Sequence, residues 1–196
     1  MKIKQIFKNF KLNSWNLIYS IYLKAKGVRF KEGCSFRGKM HIYIGFNGKV
    51  SLGKNVSVNS GLKWNPIGGD TKTIIRVYDN AELKVGDNVG ISNSCIVAKE
   101  KIVIEDNVLI GGNCKIYDTD FHSLNYVERY NKNEKVNNKE IRIMRDVFVG
   151  GHSIILKGTV IGERSIIGAG SVVSGIIPAD EIWAGNPAKF IRKIKA

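Results

Sequence analysis

A chain of 196 residues with 43% hydrophobic content is sized for one ordinary domain with a real core, and its composition is neither fibrous nor disordered. The net charge of +14, from 31 Lys and Arg against 17 Asp and Glu, favours anionic partners; no aromatic–basic pattern of a nucleic-acid module accompanies it, so no nucleic acid is expected. Three cysteines (Cys34, Cys95 and Cys114) without a C-x-x-C pair argue against a disulfide scaffold and for a reducing, cytoplasmic setting.

Residues 1–26 form a basic amphipathic segment. Ile3, Ile6, Phe7 and Phe10 fall at helical spacing with lysines between them, and Asn13 or Ser14 can cap a second helix ending at Gly27. The apolar run from Leu17 to Leu23 is too short to span a bilayer. The segment is expected to pack on its own domain or a sister subunit, or to lie on the inner surface of an anionic membrane.

Residues 27–196 carry a different pattern. An aliphatic residue recurs every sixth position at Val149, Ile155, Ile161, Ile167 and Val173, with Ser153, Thr159, Ser165 and Ser171 in the fifth place. An earlier block repeats the beat at Val85, Ile91 and Val97, then at Ile104, Ile110 and Ile116 after one extra residue. A period of this kind predicts an all-β fold, a parallel β-helix in which each hexad makes one short strand and one corner. The aliphatic side chain points inward, and the fifth place sits at a corner that admits only a small side chain. Cys95 and Cys114 occupy that place and read as packing residues. The beat lapses over a polar excursion at about 122–145, and a closing segment begins at about 178.

From about residue 81 to 193 the chain resembles the hexapeptide-repeat acyltransferases, in their sugar, capsule and O-antigen O-acetyltransferase branch. Two stretches carry the resemblance: VLIGGNCKIYDTDFHSL at 108–124, and IGERSIIGAGSVVSGIIPADEIWAGNPAKFIRKI at 161–194. It implies a left-handed β-helix, a homotrimer, acetyl-CoA bound between adjacent helices, and a saccharide acceptor. Left-handedness comes from the resemblance alone, since crossovers are ordinarily right-handed.

Acyl transfer to a hydroxyl needs a base, a donor for the oxyanion, and both substrates in register. His122 stands where the hexads break into a loop, and the DTDFH motif makes it the expected general base. Asp118 and Asp120 are the expected partners of its imidazole. His41 and His152 read as surface residues. The resemblance puts the oxyanion donor at the N–H of Gly151 or its neighbour Gly150, and cofactor contacts at Gly151, Ala169, Ser174, Lys189 and Arg192. A zinc enzyme of this fold needs three converging histidines, so no metal is expected. The rival reading is an N-acetyltransferase acting on an amino sugar, which would use much the same base.

Overall fold

The computed structural model describes residues 15–132 and 134–195. The first predicted helix and both candidate caps of the second lie outside the described residues. Residues 15–25 are helical, and Gly27 takes the left-handed conformation (φ 88°) that ends the segment.

From Val28 onward the chain winds as a three-sided parallel β-helix. Face I stacks seven strands: Val28–Phe30, Lys49–Leu52, Glu82–Val85, Lys101–Ile104, Ile141–Ile143, Val160–Ile161 and Ile176–Ile177. Face II runs from Ser35–Arg37 through Ser57–Asn59, Gly90–Ser92, Leu109–Ile110, Phe148–Val149 and Ile166–Ile167 to Glu181–Ala184. Face III stacks His41–Ile44, Ile74–Val77, Cys95–Ala98, Lys115–Tyr117, Ile154–Ile155 and Val172–Val173. The last strand, Lys189–Lys193, turns back and pairs antiparallel to Glu181–Ala184.

The hexad explains this winding residue by residue. Val149, Ile155, Ile161, Ile167 and Val173 are each 0% exposed, stacked in the prism's interior. Such full burial contributes roughly 1.5–3 kcal/mol per side chain. The small corner residues do more than fit. Ser153 Oγ donates to the Gly150 carbonyl (2.7 Å), Thr159 Oγ1 to Leu156 (2.6 Å), Ser165 Oγ to Pro178 (2.6 Å) and Ser171 Oγ to Gly168 (2.6 Å). Each hydroxyl thereby satisfies a corner carbonyl that a tight turn leaves without a ladder partner.

Three details differ from the sequence reading. Ile96, not Val97, points inward on face III: it registers with Ile75 and Ile116, whereas Val97 lies beside Arg76 and Tyr117 on the outward-pointing side. Ser94 therefore takes the small corner place, and its hydroxyl bonds the Gly111 carbonyl (2.9 Å), while Cys95 begins the strand half-buried. The hexads also resume before Val149. Ile141–Ile143 is already back on face I, so the projecting loop occupies 118–140 rather than 122–145.

A second excursion interrupts the coil at 60–73, between faces II and III. Its single turn of 3-10 helix, Pro66–Gly68, is capped by Asn65 Oδ1 accepting from the Ile67 N–H (2.9 Å). At the N-terminal end of the solenoid, the helix of residues 15–25 closes the first coil. Tyr19 and Leu23 are buried; Tyr19 Oη donates to the Met40 carbonyl (2.8 Å), and Asn16 Oδ1 accepts from the Phe36 N–H (2.7 Å). Leu17, Ile18 and Ile21 face outward, each more than half exposed.

Candidate active site

The loop bearing His122 leaves the coil at the corner between faces III and I. Its neck is pinned by an antiparallel bridge between Thr119 and Asn138 and by the Lys139 N–H donating to the Asp118 carbonyl (2.9 Å). Phe121 then adopts a left-handed backbone (φ 63°), unusual for a bulky residue, and its ring packs on Tyr117 at 5.3 Å. That turn swings His122 out of the solenoid with its side chain 71% exposed.

The imidazole does not stand alone. His122 Nδ1 lies 2.9 Å from Glu134 Oε1, and Glu134 Oε2 accepts the Ser123 N–H at 2.9 Å. One carboxylate thus holds both the ring and the backbone that follows it. The Ser123 hydroxyl donates to Glu128 Oε2 (2.9 Å), tying in the short 3-10 turn Glu128–Tyr130. The Ser123 N–H, then His122 and the nearby Lys99 hold the Glu134 carboxyl below its ordinary value. A carboxylate partner favours the neutral tautomer with the hydrogen on Nδ1, in which Nε2 faces away from Glu134 as the acceptor.

The acidic partner is therefore Glu134, not Asp118 or Asp120. The Asp118 side chain is buried and accepts the N–H groups of Lys99 (2.7 Å), Glu100 (2.9 Å) and Lys101 (2.7 Å), a clamp on the neighbouring coil. Burial pushes its carboxyl up, and those three donors pull against the shift. Asp120 Oδ2 faces Lys157 Nζ at 3.3 Å; towards His122 it offers only its backbone carbonyl, which accepts the His122 N–H (2.7 Å).

Gly151, Ala169 and Ser174 sit on two different edges of face III. Gly151 lies at the corner between faces II and III, with Gly170 stacked on it (N–H to Gly151 carbonyl, 2.9 Å) and Ala169 beside that contact. The Gly151 N–H donates to none of the described residues. Ser174 lies across face III, at the His122 corner, between Val172–Val173 and Ile176–Ile177. Lys189 and Arg192 lie on the terminal antiparallel strand, opposite Ala184 and Ile182, both exposed. A single chain thus holds the expected base at one edge of the face and the expected oxyanion donor at the other.

His152, read as a surface residue, has a structural task. Its Nε2 contacts the Ile67 carbonyl at 2.9 Å and its Nδ1 the Asn113 side-chain amide at 3.2 Å, fastening the 60–73 excursion beside Gly112 and Gly151. Among the described residues no group of His, Cys, Asp and Glu is placed to hold a metal ion, and no helix is long and apolar enough to cross a membrane.

The six-residue repeat on a three-sided coil defines a hexapeptide-repeat solenoid. Residues 140–175 match the bacterial transferase hexapeptide family (six repeats), and residues 101–116 match the hexapeptide repeat of succinyl-transferase. A Staphylococcus aureus protein named as an acetyltransferase is 43% identical over 112 residues, 57% of this chain and 55% of that one. The galactoside O-acetyltransferase of Escherichia coli is 38% identical over 102 residues, 52% of this chain and 49% of its own. The solved structure of a Vibrio cholerae hexapeptide-repeat acetyltransferase with acetyl coenzyme A is 26% identical. It superposes with a TM-score of 0.60 over 91% of this chain and 76% of that one. The matched hexapeptide models cover part of the repeat region, and the coil is the left-handed β-helix of the hexapeptide-repeat structure on which it superposes. The chain spans about half the length of the curated relatives it matches.

Proposed function

We propose that the protein is an acetyl-CoA-dependent O-acetyltransferase that acts on a sugar hydroxyl, in the assembly of bacterial surface polysaccharide. The observation that carries this reading is the His122–Glu134 pair, an exposed imidazole fixed by a carboxylate at the root of a loop. Similarity to the E. coli galactoside enzyme supports the hydroxyl acceptor, and the acetyl coenzyme A complex of the V. cholerae relative supports the donor.

In the proposed reaction His122 Nε2 removes the acceptor hydroxyl proton as the oxygen attacks the thioester carbonyl. The tetrahedral oxyanion is held by a backbone N–H, with Gly151 as its donor. Collapse expels the thiolate, which takes the proton back from the imidazolium, leaving the ester and a free thiol. His122 and Gly151 lie at opposite edges of face III, so one chain does not complete this site. The two edges are different surfaces, and a contact of one with the other between copies is head-to-tail, the kind that closes into a ring. The resemblance to hexapeptide-repeat acyltransferases makes that ring a trimer in this proposal, with acetyl-CoA in each groove and Ala169, Ser174, Lys189 and Arg192 as the proposed cofactor contacts.

The test is thiol release from acetyl-CoA with a panel of neutral sugars and an amino sugar, run beside His122→Ala. Turnover of the amino sugar alone would transfer the reading to N-acetylation.

The N-terminal segment extends the proposal to a cytoplasmic enzyme resting on an anionic membrane face. Residues 1–26 hold six lysines and no acid, and the capping helix presents Leu17, Ile18 and Ile21 outward. Leu17→Ser with Ile21→Ser should remove sedimentation with phosphatidylglycerol vesicles without lowering the melting temperature. Equal, negligible sedimentation of both proteins disposes of this membrane contact.

A further inference from the structure

Some cations on this chain are paired with carboxylates and others stand over aromatic rings. Most of those that bridge coils are neutralised by carboxylates: Lys54 by Glu32, Arg142 by Glu105, Arg145 by Glu163 and Arg164 by Asp180. Arg76 and Lys99 are held otherwise. The Arg76 guanidinium lies 4.7 Å from the Tyr78 ring centre and 5.8 Å from that of Tyr43, and Lys99 Nζ lies 5.0 Å from that of Tyr78. Among the described residues neither has a carboxylate within ion-pair distance. An aromatic face orients a cation without cancelling its charge, so both remain available to an anion.

Their placement leads to His122. On the outward-pointing side of face III, Tyr43 registers with Arg76, Arg76 with the buried Val97, and Val97 with Tyr117. Tyr117 packs on Phe121, the residue before His122. Lys99 stands at the same corner one coil from Asp118, close enough to Glu134 to depress its carboxyl. At its far end the line enters an open groove of about 320 Å³ lined by Tyr43, Arg76, Tyr78 and Lys26. The one acid in that groove, Asp79, is engaged by the Phe46 N–H at 2.9 Å. Three strand steps separate Tyr43 from Tyr117, roughly 14 Å at the ordinary interstrand spacing. That length exceeds a single sugar ring.

We infer that the line from Tyr43 to His122, with Arg76 and Lys99 as its charged contacts, is the acceptor subsite of the proposed transferase and takes an anionic oligosaccharide. The aromatic faces of Tyr43, Tyr117 and Phe121 give the sugar rings apolar surface, and the two cations meet a carboxylate or phosphate on the saccharide. The inference rests on the acetyltransferase reading for the identity of the reaction but not for binding.

The test is equilibrium binding to the full chain of three probes: trigalacturonate, galactose 1-phosphate and neutral maltotriose. One of the anions should bind about tenfold tighter than maltotriose, and Arg76→Gln or Lys99→Gln should each remove about that factor. Which anion wins separates a carboxylate from a phosphate source. If the wild type releases no thiol but discriminates the probes, the subsite stands and the acetyltransferase reading falls. Equal binding of charged and neutral probes, or no binding of any, overturns the subsite. So does a matching loss of acetyl-CoA affinity in both Gln variants, which would assign the two cations to the cofactor's phosphates.

Discussion

Replacing His122 with alanine should lower acetyl transfer by about 10²- to 10⁴-fold, the range lost with a general base, and leave the melting temperature unchanged. The side chain is 71% exposed and packs into no core, so its removal opens no cavity and strands no buried partner. Its ring makes one side-chain hydrogen bond among the described residues, to Glu134. Glu134→Ala should therefore also reduce turnover, through loss of the fixed tautomer and of the Ser123 N–H acceptor. Glu134→Gln keeps an acceptor oxygen for the ring and should lose less. Thiol release at saturating acetyl-CoA, measured on correctly folded protein, reads all three variants. Undiminished turnover by His122→Ala would remove the base from the mechanism.

The parts of this site were unequally legible in the sequence. The coil could be read because its cause is local: every sixth residue must be aliphatic and every corner small, and Ser153, Thr159, Ser165 and Ser171 show both constraints directly. His122 is singled out chiefly by the DTDFH motif of the resemblance, which falls where that rhythm breaks. Glu134 could not be found the same way. It lies twelve positions further on in a loop without a repeat, and the Thr119–Asn138 bridge brings its carboxylate back to the imidazole. The misplacement of Val97 has a similar origin. Ile96, Val97 and Ala98 are consecutive apolar residues, all buried, and only pairing with the strands above and below decides which faces inward. The excursion at 60–73 escaped notice for want of a regular beat on either side. The line from Tyr43 to Tyr117 is built from four separate coils, so no window of sequence contains it.

Asp118 invites the opposite expectation to His122, because it belongs to the same DTDFH motif yet contributes to stability rather than chemistry. The side chain is 0% exposed and accepts three consecutive backbone N–H groups, from Lys99 to Lys101, where the chain turns from face III to face I. No ladder partner satisfies those donors at that corner, so the carboxylate stands in for one. Asp118→Ala leaves all three without an acceptor, and a donor stranded in this way costs about 1–3 kcal/mol when water cannot replace the bond. Glu100 is exposed and Lys99 and Lys101 are half-buried, so water recovers part of the loss and the net cost is about 2–5 kcal/mol. For a chain of this length that is a fall in melting temperature of about 5–15 °C. Asp118→Asn should lose less, since its amide oxygen can still accept the Glu100 and Lys101 N–H groups while its NH2 turns donor hydrogens towards the Lys99 N–H. At a temperature where the variant is fully folded, turnover per molecule should stay near the wild type, because the carboxylate does not touch the imidazole. Thermal unfolding and low-temperature thiol release, taken together, separate the two residues: His122→Ala is stable and inactive, Asp118→Ala active and unstable. A variant of Asp118 that melts normally but has lost turnover would restore the carboxylate to the catalytic machinery and displace Glu134 as the partner of His122.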